Sequence, residues 1–205
     1  MNFNHLYIIG GSPCCGKSTI AALLCERHGL QYFKADDFLE EILQRGTDDG
    51  DELLRRVKDM TMDELWLRNP QTQATEELMI YDRLFPYYMD ALARLRADTP
   101  ILAEGAAFLP RCVKRLDVEQ AKYVCMTPTK AFQIEHYRQR EWVWTYLAAC
   151  SSKDEAFVNW MERDALFARN VSEQAREASF PALVVDGQAG VEEMAAMVAR
   201  SLGLA

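Results

Sequence analysis

No apolar run in this chain approaches the length of a membrane span. The strongest, Leu6 to Ile9 and Ala182 to Val185, are only a few residues long, against about 20 for a helix that crosses a bilayer. A secretory leader is wanting too: Met1 to His5 is mostly polar, without a charged start and long apolar stretch. A cytoplasmic protein with no membrane partner is expected. Basic residues are in the minority, 23 against 31 acidic for a net charge of -8. That balance argues against a long nucleic acid as main partner, because phosphate contacts need a surplus of Lys and Arg. Six cysteines show no CxxC spacing and sit mostly in apolar segments, which speaks against zinc and against a disulfide framework. The three histidines, His5, His28 and His136, stand beside no serine or cysteine in a nucleophile pattern, so none is assigned to catalysis. An NKxD base-reading motif and an LSGGQ-type transporter signature are both missing.

What is present is an alternation of short β-type runs and long helical patterns, as expected where helices join parallel strands. The candidate strands are His5–Gly10, Gln31–Lys34, Pro100–Ala106, Ala121–Thr127 and Ala182–Asp186. Several are almost uniformly apolar, as strands covered on both faces should be. The 205 residues suit one sizeable core, and nothing reads as a linker or repeat, so a single α/β domain over 1–205 is expected. Between strands two and three, about 40–99, lies a helical insert in which Leu78, Tyr81, Phe85, Tyr88, Leu92 and Leu95 step by three and four as a core-facing stripe. Asn69 and Pro70 make a good N-cap and first-turn pair, whereas Pro86 predicts a kink or break. Val191, Met194, Val198 and Leu202 mark a final amphipathic helix.

One segment carries most of the functional information. Gly11-Ser12-Pro13-Cys14-Cys15-Gly16-Lys17-Ser18, followed by Thr19, matches GxxxxGK[ST] and stands between an apolar strand and a helix. Glycines let backbone N–H groups converge on a polyphosphate, and the helix N-terminus favours its negative charge. Lys17 is expected to reach the β- and γ-phosphates and Ser18 to ligate Mg²⁺, with Gly11 through Thr19 as the ATP-binding set. Cys14 and Cys15 are read as filler used through their backbone, ahead of a redox role.

With that motif in place the chain resembles the P-loop kinase group that includes shikimate kinase, gluconate kinase, chloramphenicol phosphotransferase and the kinase domain of polynucleotide kinase. The resemblance runs through nearly the whole element order, although only the phosphate loop is highly specific. It implies a three-layer α/β/α fold, a five-stranded parallel sheet in the order 2-3-1-4-5, a lid near 138–155, and an acceptor bound opposite ATP. It also implies roles. Asp36, ending an apolar strand, is the better match to the aspartate that faces the acceptor hydroxyl, with neighbouring Asp37 the other candidate for that place; Asp37 is otherwise an N-cap for the following helix or a second acceptor contact. Glu104, before Gly105, stands where related kinases often carry aspartate, so it either holds a Mg²⁺-bound water or contacts the acceptor. Arg138 and Arg140 resemble paired lid arginines and Arg163 resembles one on the helix after the lid, all expected to neutralise charge during transfer. Arg111, with Lys114 and Arg115, follows the third strand where an anionic acceptor would dock. The aromatic run from Glu141 to Cys150 either packs on the core or covers an acceptor, packing being the commoner fate. Val184 to Gly187 resembles the adenine-side loop, in which Asp186 serves only to end the strand.

The expected function is therefore ATP- and Mg²⁺-dependent phosphorylation of a small molecule. The alternatives are a nucleoside, nucleotide or polynucleotide kinase, and an ATP-binding regulator with weak hydrolysis.

Overall fold

Alternation along the strands decides the architecture. In strand β1 (Leu6–Gly11), Leu6 and Ile8 enter one apolar cluster while Ile9 enters another on the opposite face. Strands β3 (Ile101–Glu104) and β4 (Tyr123–Pro128) do the same: Ala103, Tyr123 and Cys125 face one way, Leu102, Val124 and Met126 the other. A period of two with both faces apolar requires helices on both sides. The computed structural model, which describes residues 6–95, 98–116 and 122–204, supplies them. With β2 (Gln31–Lys34) and β5 (Ala182–Val185) the strands form one parallel sheet in the order β2-β3-β1-β4-β5, as the resemblance implied.

Helices α1 (Lys17–His28) and α10 (Val191–Leu202) cover one face. On α10 the expected stripe buries Met194, Val198 and Leu202, while Val191 is half exposed. The other face is covered through the insert and the long C-terminal helix. The insert folds as α2 (Leu39–Asp48), α3 (Glu52–Asp59), α4 (Met62–Trp66) and α5 (Pro70–Ala93). Short α6 (Pro110–Lys114) follows β3, α7 (Lys130–Arg138) and α8 (Glu141–Leu147) follow β4, and α9 (Lys153–Glu177) packs along α5. No helix among the described residues is long and apolar enough to cross a membrane.

Local chemistry explains several boundaries. Asn69 caps α5 by accepting from the Gln71 and Thr72 amides, and Pro70 sits in the first turn; such a cap contributes about 1 kcal/mol. Two further helix starts went unread in the sequence, the Asp51 cap of α3 and the Thr61–Glu64 capping box of α4. The expected break at Pro86 does not occur, because α5 runs unbroken through it. Leu84, Phe85, Tyr88 and Met89 are buried around that proline, and their packing outweighs one lost helical hydrogen bond. Strand β3 stops at Glu104 rather than Ala106, since Gly105 turns the chain with φ 155°. His5 and Ala121, expected as strand ends, lie outside the described residues.

Candidate functional site

The phosphate loop leaves the carboxyl end of β1, the central strand, and runs into α1. Gly11 has φ 115°, and a Cβ there would sit 1.9 Å from the Met126 carbonyl oxygen on β4. The loop can therefore lie against β4 only with glycine at this position. Ser12 donates its amide to that same carbonyl at 2.9 Å, and the Cys15 thiol donates to the Ser12 and Met126 carbonyls at 3.0 and 3.3 Å. Helix α1 then begins without any side-chain cap and without an acid in its first turn. Its first amides are thus left for an anion. Buried Lys17 holds its ammonium across the loop, donating to the Ser12 carbonyl at 2.6 Å.

Burial raises both loop thiols, Cys14 to about 11, so they are protonated at neutral pH. This agrees with filler and not with a reactive thiolate.

Glu104 is almost fully buried. Its Oε1 accepts from the Ser18 hydroxyl at 2.8 Å and from the Tyr32 hydroxyl at 3.0 Å. Burial, reinforced by that carboxylate, holds the Tyr32 phenol well above its usual range. The Ser18–Glu104 spacing suits magnesium: adjacent corners of an octahedron with Mg–O of about 2.1 Å lie about 3 Å apart. Among the described residues no three His, Cys, Asp or Glu side chains form a metal cage.

Gly105 brings in the next residue. A Cβ on it would meet the Ala35 side chain at 2.5 Å, so the backbone of β3 passes close under the 3-10 turn Ala35–Phe38. The two neighbouring aspartates part company there. Asp36 lines the cleft, whereas Asp37 is outside it and pairs with Lys34 at 3.6 Å. Nor does Asp37 cap a helix: α2 starts after Phe38 with no side-chain cap.

Loop residues Pro13 to Thr19, Asp36, Glu104 and Arg140 open on one cleft of about 670 Å³. Arg140 is exposed and lies over the Tyr137 ring at 5.0 Å. Arg138 is not brought to the cleft; its guanidinium lies 6.0 Å from the Phe157 ring. Arg111 is elsewhere too, donating to the Leu78 carbonyl at 3.1 Å and pairing with Asp82 at 3.6 Å, while Arg115 pairs with Asp82 at 2.7 Å. Asp186 accepts from the Gln188 amide at 3.0 Å, a strand-ending turn as expected.

The far wall was not legible as a unit. Arg163 lines the cleft with its charge already met, 2.7 Å from Glu77 on α5 and 2.7 Å from fully buried Asp164. Its guanidinium also lies over Trp66 at 4.8 Å. Burial, offset in part by Arg163 and reinforced by Asp164, pushes Glu77 up to about 7. Asp164 is raised by burial as well. One signal was available: Phe157, Trp160, Asp164, Ala168 and Val171 fall on a single buried stripe at helical spacing, with a carboxylate in its middle. Around this cluster Trp66, Tyr81, Tyr137, Trp142, Tyr146 and Trp160 line the cleft. Helix α8 both packs and covers: Val143 and Leu147 are fully buried, while Trp142 and Tyr146 remain exposed to the cleft.

The chain is 27% identical over 151 residues to the adenylate kinase of Synechococcus sp. (strain CC9311), an alignment spanning 63% of this chain and 82% of that protein. The chain resembles the P-loop kinases. Solved structures similar to it include shikimate kinase from Aquifex aeolicus, 15% identical with a TM-score of 0.47 over 97% of this chain and 96% of that one. A gluconokinase from Sinorhizobium meliloti is 14% identical, with a TM-score of 0.46 over 99% and 94%. No protein-family model matches the chain. The P-loop fold rests on the sheet order and on the loop between β1 and α1.

Proposed function

We propose that this chain is an ATP- and Mg²⁺-dependent phosphotransferase acting on a small-molecule acceptor. The observation that carries this reading is the convergence of an uncapped helix N-terminus, the Ser18–Glu104 oxygen pair and Asp36 on one cleft. The α1 amides and Lys17 bind the phosphates of ATP and hold them in line with the acceptor. Ser18 and Glu104 would hold Mg²⁺, which when bound would offset charge on the phosphate oxygens. Asp36 orients the acceptor hydroxyl and takes its proton at a carboxylate oxygen. Arg140 stabilises the equatorial charge from the lid side, and the aromatic wall excludes water. Arg163, neutralised by two acids, positions that wall. Arg138, Asp37 and Arg111 receive no contact with the reacting groups in this reading.

A nucleotide acceptor is the second reading, favoured by the 27% identity to an adenylate kinase. The acceptor is found by measuring ADP release from ATP and Mg²⁺ across metabolites, sugars, nucleosides, nucleotides, antibiotics and short oligonucleotides, with Lys17→Ala as blank. Lys17-dependent stimulation by one class identifies it. ATP binding with no stimulation by any class contradicts the transferase and favours an ATP-binding regulator.

A further inference from the structure

Glu104 carries a carboxylate that is 2% exposed, and among the described residues no cation pairs with it. Lys34 stands opposite it in the parallel register of β2 and β3, yet the Lys34 ammonium pairs with Asp37 at 3.6 Å. A carboxylate buried without a counter-charge is costly unless it is hydrogen-bonded or bound to a metal. Two hydroxyls meet it instead, and both donate to one oxygen. Ser18 on α1 reaches Oε1 at 2.8 Å, and Tyr32 on β2 reaches the same Oε1 at 3.0 Å. No hydrogen bond among the described residues engages Oε2.

The sheet register produces this arrangement. Tyr32 stands opposite Leu102, two residues before Glu104 on β3. A period of two along the strand puts Leu102 and Glu104 on one face, and Tyr32 shares it. That face is the one α1 covers, since Leu102 packs in the same cluster as Ile20, Ala21 and Leu24. Phe33, the next residue of β2, enters the opposite cluster with Ala103. The Tyr32 phenol therefore reaches along β3 to the carboxylate that the first turn of α1 also meets. Tyr32 itself is 36% exposed, so little core packing rests on it, and it is not among the residues that line the cleft. A glutamate side chain has three rotatable bonds and spreads over several rotamers unless it is held. Two donors on Oε1 hold this one and leave Oε2 uncommitted.

Building on the phosphotransferase reading, we propose that Tyr32 is a positioning residue for the magnesium site: its hydroxyl fixes Glu104 in the orientation that, beside Ser18, presents a carboxylate oxygen to Mg²⁺. Tyr32 acts only through Glu104. Groups that hydrogen-bond a metal ligand set its orientation and thereby the affinity for the metal.

The test reads the metal's contribution to ATP binding without turnover. A fluorescent, non-hydrolysable ATP analogue is titrated into the wild-type protein, Tyr32→Phe, Glu104→Ala and the double variant, each in excess EDTA and again in excess Mg²⁺. Tyr32→Phe keeps the ring and removes only the donor. It is expected to leave affinity in EDTA within about two-fold of wild type and to lower affinity in Mg²⁺ roughly ten-fold. In the Glu104→Ala background the same substitution is expected to change neither affinity, because two residues acting through one contact are not additive. Equal gains from Mg²⁺ in the wild type and Tyr32→Phe overturn the proposal and leave the phosphotransferase reading intact. A Tyr32→Phe effect that persists in Glu104→Ala, or that is equally large in EDTA, also overturns it, since the tyrosine then serves its strand and not the carboxylate. A wild-type protein that gains nothing from Mg²⁺ overturns both the proposal and the Mg²⁺-dependent reading beneath it.

Discussion

The two ends of the cleft are built from different materials. At the phosphate end the work falls to main chain: Gly11 is fixed by a Cβ contact of 1.9 Å that any other residue would make, and the uncapped amides of α1 present the donors. At the acceptor end it falls to side chains from three separate helices, with Glu77 from α5, Trp142 and Tyr146 from α8, and Arg163 and Asp164 from α9. A main-chain site is dictated by a short contiguous motif. A side-chain site depends on which faces of distant helices meet, and its charges are set by burial as much as by identity. In the proposed reading the first end specifies nucleotide chemistry and the second the acceptor.

Substitutions sharpen this contrast, the largest effects falling where charge or proton transfer is lost. Lys17→Ala is expected to lower acceptor-dependent ADP release by about 10³-fold or more, the scale of losing a cation aimed at the transferring group; steady-state rates check this. Next in size is Arg163→Ala, which leaves Glu77 and Asp164 facing each other in a buried site. Removing one partner of such a cluster costs about 3–5 kcal/mol, read by urea unfolding. Equal loss in Arg138→Ala, whose side chain is exposed over Phe157, would contradict the distinction between the two arginines.

A smaller effect tests the acidic wall through pH. Folded Glu77 keeps its proton to about pH 7, whereas in the unfolded chain it releases it near 4.5. Between those values the folded state binds more protons, so stability from this group falls as pH rises from about 4.5 to 7 and is flat above. Asp164, raised by the same burial, adds in the same direction, and Arg163 from α9 and Tyr81 from α5 are the other groups that face Glu77. Melting temperature should decline from pH 5 to pH 7, and Glu77→Gln should flatten much of that slope. A steeper slope in the variant would contradict the assignment. Smallest of all, Asp37→Ala should change turnover by no more than about two-fold, because its exposed pair with Lys34 contributes at most about 1 kcal/mol.

How much could be read in advance follows the same division. The five strands were legible because they are short β-type runs, several of them almost uniformly apolar, alternating with helical patterns, and their order because the resemblance supplied a topology. The phosphate loop was legible because its residues are adjacent. Asp36 and Asp37 could not be separated by sequence, since both are polar neighbours; the close approach of Gly105 to Ala35 sets that turn, in which Asp36 alone lines the cleft. Glu104 gained its meaning from Ser18 and Tyr32, respectively 86 and 72 residues away. Arg111 and Arg138 looked like Arg163 in sequence, and only their partners, Asp82 and Leu78 for one and Phe157 for the other, show that they point elsewhere. The exposed faces of Trp142 and Tyr146 were hidden for a related reason. Aromatic residues on a seven-residue helix read as core until the buried face, Val143 and Leu147, is seen to be used already.

The most direct test of the account separates binding from transfer at Asp36. ATP affinity and acceptor-stimulated ADP release are measured side by side for the wild-type protein and Asp36→Ala. The account predicts ATP affinity within about two-fold and a loss of stimulated release of about 10²-fold or more, as expected for removal of a general base. Undiminished release by Asp36→Ala would contradict the assignment of the acceptor site and of the reaction built upon it.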